Sequence, residues 1–289
     1  LNILIQFENG SSGVVAYYAN GSKSMAKEYV EVFSAGLSAT LNDFKELKIY
    51  GKGKPKNTHI FPIPDAFRGK YRGEHTADKY AREVQFLIDE IHQQNKKVGG
   101  FIIEPIISCG GQIELPKEFL QQAYKKVKKA GGFCISDEVQ TGIGRMGKTF
   151  WGFQLHDVVP DIVTIGKPLG NGHPIAAVAC TKEVAEKFAN GMEFFNTFGG
   201  NPVSCAIGTE VLREVKRENL QENALNVGAF LKSEFIKLSH KFPIIGDVRG
   251  QGLFLGIELV DIDLNPLAEQ TDYIINRMKK HGILMSSDG

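Results

Sequence analysis

Two residues placed just after apolar runs carry the chemistry open to this chain. Asp137 closes the run Phe133-Cys134-Ile135-Ser136, and Lys167 follows Ile162-Val163-Thr164-Ile165-Gly166, with Pro168 behind it to stop a helix from starting at once. Strands of one parallel sheet would present both side chains at its carboxyl edge, where ligands gather. An amine and a carboxylate on neighbouring strand ends suit one type of reaction. The amine forms a Schiff base with an aldehyde cofactor, and the carboxylate keeps that cofactor's pyridine nitrogen protonated, so the ring accepts electrons from a carbanion. A lysine in this role needs a lowered pKa, which desolvation and the cofactor site can supply. Singly, each residue has a plainer reading: a Lys after a strand is ordinarily a solvated loop residue, and an Asp there a helix cap or turn former.

A second motif competes. Gly142-Ile143-Gly144-Arg145-Met146-Gly147 matches GxGxxG. A dinucleotide site needs that pattern to end a strand and open a helix. Here Asp137 to Thr141 intervenes, and Phe150-Trp151-Gly152-Phe153 reads as a loop or short turn. A Gly-rich loop beside a cofactor is the better reading.

The elements that must hold Asp137 and Lys167 are legible in the periodicity. Tyr80, Val84, Leu87, Ile88 and Ile91 repeat at helical spacing, as do Phe119, Leu120, Ala123, Tyr124 and Val127 in a helix from Lys117. Short continuous apolar runs, Phe101-Ile102-Ile103, Phe133-Cys134-Ile135 and Ile162 to Ile165, alternate with them. That pattern predicts an α/β fold with a mainly parallel sheet and helices on both faces. After Asn201-Pro202 come two long helices, one carrying Val203, Ile207, Val211 and Val215, the next Val227, Leu231, Phe235 and Leu238. Val248-Arg249-Gly250-Gln251-Gly252 then leads into the strand Leu253 to Leu259, a small C-terminal α+β unit. Residues 1 to about 55 have another texture: Leu1, Ile3, Ile5 and Phe7 alternate, Asn9-Gly10 and Asn20-Gly21 signal turns, and runs at Val14 to Tyr18, Tyr29 to Phe33, Leu37 to Leu41 and Leu47 to Tyr50 predict an antiparallel β segment. Gly51 to Pro55 reads as a linker. The domains are therefore placed at 1–55, 56–200 and 201–289.

Composition excludes several classes. The 289 residues carry 34 Lys+Arg against 33 Asp+Glu, so no basic excess points to nucleic acid. No run of about 18 apolar residues suits a membrane span. Cys109, Cys134, Cys180 and Cys205 lie far apart without a CxxC, and read as small buried residues of a reducing compartment, with no metal site. No signal peptide is visible in the opening LNILIQFENG, so a cytoplasmic or organelle-matrix location is expected. The chain opens on Leu1 and stops after Gly282-Ile283-Leu284-Met285, which reads as a fragment of something longer.

The segments Ile135-Ser136-Asp137-Glu138-Val139-Gln140-Thr141-Gly142, Ile165-Gly166-Lys167-Pro168-Leu169-Gly170-Asn171-Gly172 and Asn196-Thr197-Phe198-Gly199-Gly200-Asn201-Pro202 closely resemble class III, fold type I, pyridoxal-phosphate aminotransferases. Phe101-Ile102-Ile103-Glu104-Pro105 and Val248-Arg249-Gly250-Gln251-Gly252-Leu253 fit the same family, and the resemblance covers about 57–289. It implies the partial fold type I architecture, pyridoxal 5'-phosphate as cofactor, and a transaminase acting on a small primary amine or amino acid. By the same resemblance Lys167 is the Schiff-base lysine and proton shuttle, Asp137 pairs with the pyridine nitrogen, and Gln140 reaches the ring oxygen. Thr197 binds the cofactor phosphate of a partner subunit, which implies a homodimer, and Glu104 lies on the substrate side. An upstream Gly/Ser-rich phosphate turn and a ring-stacking aromatic, both usual in the family, are not found before Asp137.

Arg68-Gly69-Lys70-Tyr71-Arg72, Ser108-Cys109-Gly110-Gly111-Gln112-Ile113 and Glu193-Phe194-Phe195-Asn196-Thr197 look most like the phospho-lyases of ethanolamine phosphate or phosphohydroxylysine. That resemblance implies an alternative outcome, elimination of phosphate and ammonia, with Arg68 and Arg72 on a substrate phosphate. Their plainer reading is surface salt bridging. Residues 1–52, through Phe7 to Gly13, Ala19 to Lys23, Glu31-Val32-Phe33 and Asp43 to Leu47, resemble the C-terminal sheet domain of Gfo/Idh/MocA oxidoreductases. An NAD(P)-dependent remnant and an inactive fragment are thus the rival readings.

Overall fold

The computed structural model describes residues 58–287 except 190, 192, 193 and 195, and, before them, the backbone of five strands. Two compact units are present, Leu1–Ile60 and Phe61–Gly289.

In the first unit β1 (Asn2–Gln6), β2 (Ser12–Ala16), β3 (Tyr29–Ser34), β4 (Leu37–Asn42) and β5 (Glu46–Tyr50) form an antiparallel meander in sequence order. The expected turns at Asn9-Gly10 and Asn20-Gly21 and the linker at 51–55 lie outside the described residues.

In the second unit α1 (Thr76–Gln93) leads to β6 (Gly100–Ile103), a short hairpin of β7 (Ile106–Ile107) and β8 (Ile113–Glu114), α2 (Phe119–Lys129) and β9 (Phe133–Asp137). A 3-10 helix at Gly152–His156 precedes β10 (Ile162–Ile165), a 3-10 turn at Lys167–Leu169 and β11 (Ala177–Cys180). Then come α3 (Lys182–Phe188), α4 (Pro202–Arg217), α5 (Leu220–Lys241), the hairpin β12 (Ile245–Gln251) and β13 (Phe254–Leu259), and α6 (Ala268–Lys280). The sheet runs β11-β10-β9-β6, with β6, β9 and β10 parallel and β11 antiparallel at the edge.

The core lies between α1, α2 and one sheet face. Tyr80, Val84 and Ile88, four residues apart, meet Phe119, Leu120, Ala123 and Val127, and all are buried. Each such large side chain contributes about 2 kcal/mol by leaving water. The lysines of α2 keep to its outer side. Ile103 and Ser136 are buried on this covered face. Strand alternation puts Ile102, Asp137 and Val178 on the other, where Ile102 is 59% and Val178 67% exposed. Among the described residues, then, helices expected on both faces cover mainly one.

The four cysteines are not all buried. Only Cys134 is buried, and burial pushes its thiol up to about 12. Cys109, Cys180 and Cys205 are exposed, because they fall on a loop, on the edge strand and on the outer side of α4, where small apolar side chains have nothing to pack against. Among the described residues no helix is long and apolar enough to cross a membrane, and no cluster of His, Cys, Asp and Glu suits a metal.

Candidate active site

Three parallel strands end in three polar residues. Ile103 pairs with Ser136, and Thr164 with Asp137. Glu104, directly after β6, is therefore level with Asp137 at the end of β9, and Lys167 follows the end of β10 by two residues. Neighbouring strands lie about 4.8 Å apart, which confines all three to one edge. Asp161 sets this register: its backbone N–H donates to the Cys134 carbonyl at 2.7 Å, and its Oδ2 accepts from Cys134 N at 2.7 Å.

The three charges act on one another. The Glu104 carboxyl is held above its usual range, first by burial; Asp137 pushes it the same way, while hydrogen bonds from Ser108 and the charge of Lys167 oppose. The Ser108 backbone N–H donates to Glu104 Oε2 at 2.9 Å, and its hydroxyl donates to Oε1. Asp137 Oδ1 accepts from Val139 N at 3.0 Å.

Lys167 is exposed and has a φ of 29°, inside the left-handed region that side chains other than glycine disfavour. Such backbone strain, of order 1–3 kcal/mol, gathers at functional sites. The turn is over-determined by its surroundings. Leu169 N donates to the Gly166 carbonyl at 2.9 Å and Gly170 N to that of Lys167 at 3.2 Å. A Cβ at Gly170 would lie 1.8 Å from the His173 carbonyl oxygen, so only glycine fits there. The His173 ring is 2.8 Å from Ser204 Oγ, at the start of α4, where Asn201 Oδ1 caps Ser204 N at 2.9 Å.

The other expected residues are placed less uniformly. Gln140 is half-buried in the loop after β9. Thr197 is exposed inside a turn closed by Asn196 Oδ1, which accepts from Phe198 N and Gly199 N. Glu193 and Phe195 lie outside the described residues. Arg68 is ion-paired to the buried Glu258 of β13, and Arg72 is exposed. A cavity of about 770 Å³ lies nearby, lined by Trp151, Ile165, Leu169 and Leu212 among others, but Glu104, Asp137 and Lys167 do not line it.

Two residues escaped the sequence reading. Thr164 Oγ1 is buried without a hydrogen-bond partner, on the strand that pairs with Asp137. Glu138 is fully buried and receives hydrogen bonds from Ser136, Thr141, Gly152 and Phe153. Period-two alternation around Asp137 was the available signal, since it puts Ser136 and Glu138 together on the covered side.

The model of the aminotransferase class-III family matches residues 32–289. The chain belongs to the class III aminotransferases. The match starts inside the segment 1–52 read as oxidoreductase-like, and that resemblance is not borne out. Among relatives, alanine–glyoxylate aminotransferase 2-like of Drosophila melanogaster is 44% identical over 248 residues, covering 83% of this chain and 50% of that protein. The mitochondrial alanine–glyoxylate aminotransferase 2 of Homo sapiens is 44% identical over 243 residues, covering 77% and 47%. Among solved structures, an Arthrobacter phospholyase in complex with phosphoethanolamine superposes with a TM-score of 0.72 at 38% identity, covering 74% of this chain and 51% of that one. A thermostable omega transaminase from Pseudomonas jessenii superposes at 0.71 with 30% identity, covering 78% and 52%. This class III chain spans about half the length of the relatives it matches.

Class III aminotransferases use pyridoxal phosphate. The residues present fit that group. An amine stands at one strand end and an acid at the next, the two groups that an aldehyde and a pyridine nitrogen call for. The orphaned Thr164 hydroxyl, on the strand paired with Asp137, leaves a buried donor unspent.

Proposed function

We propose that this chain carries the lysine-bearing half of a pyridoxal-phosphate transaminase acting on a small primary amine or amino acid. The observation that carries the reading is the alignment of Glu104, Asp137 and Lys167 on the ends of three adjacent parallel strands, close enough for the charges of Asp137 and Lys167 to bear on Glu104. Bound pyridoxal phosphate supplies the electron sink for a substrate carbanion. Lys167 Nζ would hold the cofactor's aldehyde carbon and, once displaced from it by a substrate amine, would be free to take and return the proton of the substrate carbon. Asp137 would pair with the pyridine nitrogen, and Gln140 would offer its amide to the ring oxygen. Glu104, desolvated and close to both charges, bounds the substrate side. In a homodimer Thr197 reaches the partner's cofactor phosphate, which its exposure allows. Residues 56–200 would form the cofactor-binding domain and 201–289 part of the small domain. The name of the human relative supports an organelle matrix as the location.

Pyridoxal phosphate added to the chain should produce a visible band that borohydride abolishes, leaving the cofactor on the Lys167 peptide. Absence of that adduct, or its appearance on another lysine, sinks the reading. Elimination of phosphate is the second outcome, favoured by the likeness to the Arthrobacter phospholyase. Release of inorganic phosphate from phosphoethanolamine, set against amino transfer to a keto acid, decides between them. Arg68 serves a substrate phosphate only if it leaves Glu258.

A further inference from the structure

One buried carboxylate in this site has no part in the chemistry above. Glu138 is wholly buried. It accepts from Ser136 Oγ at 3.1 Å and from Thr141 Oγ1, Gly152 N and Phe153 N at 2.8 Å each. No Lys, Arg or His is among these four donors, although an interior carboxylate ordinarily needs a cation to offset its lost hydration.

We propose that Glu138 is the positioning residue of the cofactor site, fixing Asp137 and Gln140 at once; this rests on reading the strand edge as that site. Ser136 and Glu138 flank Asp137 on the covered face, and the bond between their side chains spans it. Asp137 is thereby held toward the opposite face, with Val139 N fixing one carboxylate oxygen at 3.0 Å. On the other side, the Thr141 hydroxyl bond and the Gly142 N–H donating to the Glu138 carbonyl at 2.9 Å close a tight loop containing Gln140. The two backbone donors, Gly152 and Phe153, tie this loop to the 3-10 helix. That helix is anchored in turn by His156, whose Nε2 lies 2.8 Å from the Pro105 carbonyl, next to Glu104. A carboxylate suits this task because its two oxygens accept from several directions together, whereas an amide must turn an N–H₂ toward donors.

The test compares the full chain with Glu138→Gln and with a Ser136→Ala Thr141→Val double variant, which keeps the charge and both backbone donors. Each is titrated with pyridoxal phosphate, its visible band is followed against pH, and its thermal unfolding is measured. Glu138→Gln should bind the cofactor about tenfold more weakly, the loss of one charge-assisted hydrogen bond, and should move the pH midpoint of the band. The double variant should shift both in the same direction by less, and it carries the test if Glu138→Gln does not fold. Variants that melt earlier yet keep the parent's affinity and band midpoint overturn the proposal and leave Glu138 a purely structural residue. A parent chain that forms no borohydride-stable adduct at Lys167 overturns the site reading, and the proposal with it.

Discussion

Asp137 and Thr164 are partners across the parallel β9–β10 ladder, and the Thr164 hydroxyl beside that carboxylate-bearing strand is buried without a hydrogen-bond partner. An unsatisfied buried hydroxyl costs about 1–3 kcal/mol. Thr164→Val removes it at nearly constant shape. Cofactor-free protein carrying this substitution should be as stable as the parent, or up to about 1 kcal/mol more stable, in urea unfolding. A clear loss would mean that the hydroxyl already has a partner.

Glu104 gives a pH signature. Burial raises its folded pKa above the ordinary 4.5. The folded chain therefore holds this proton more tightly than the unfolded chain. The associated stability is complete below the unfolded value and is lost as pH rises through the folded one. Glu104→Gln has no such proton. Its stability relative to the parent should rise between acid and neutral pH; a flat difference between the two unfolding curves would contradict the assignment.

His156 works in the opposite sense. Burial lowers its pKa below 6.5, against the pull of the Pro105 carbonyl. Its contribution is present above 6.5 and lost as pH falls through the folded value. His156→Gln, which keeps a donor for Pro105, should lose less stability on acidification than the parent. Melting temperatures measured on either side of the histidine range decide it.

Arg249 and Arg68 share Glu258 but should not weigh equally. Arg249 is 10% exposed, pairs with Glu258 and with Asp247 at 3.0 Å, and donates from Nε to the Gly111 carbonyl at 2.8 Å. Arg249→Met takes a cation from buried Glu258 and half-buried Asp247 and should cost about 3–5 kcal/mol. Arg68 is 34% exposed, so solvent screens its pair and Arg68→Met should cost well under half as much. Equal losses in denaturant unfolding would refute this ranking.

Gly228 in the middle of α5 is a packing requirement. A Cβ there would lie 2.0 Å from the Gly252 carbonyl oxygen in the β12–β13 turn. Gly228→Ala should destabilise by about 1–3 kcal/mol, outweighing the helix propensity it gains. A neutral or stabilising result would show that helix and hairpin separate easily.

Much of the molecule was readable in advance because it depends on near neighbours in the chain. The four-residue repeat at Tyr80, Val84 and Ile88 foretold the buried stripe of α1. The apolar runs ending in Asp137 and before Lys167 foretold two parallel strands with polar ends, and the GxGxxG segment at 142–147 proved to be no strand-to-helix turn. The family words around these residues led to the class III assignment. What stayed hidden depends on partners remote in the chain. Arg68 was a candidate for a substrate phosphate, yet its partner Glu258 is 190 positions away. The cysteines looked buried by type, and three are exposed because the surfaces they occupy are outermost.

Periodicity and turn chemistry act over a few residues, so the buried stripes, the strands and the polar residues at their ends are legible in the chain alone. That Glu104 shares an edge with Asp137 and Lys167, that the 3-10 helix supplies two of the donors to Glu138, and which sheet face is covered came from the fold. Those facts are distances between segments far apart in the chain, and packing, not local preference, sets them.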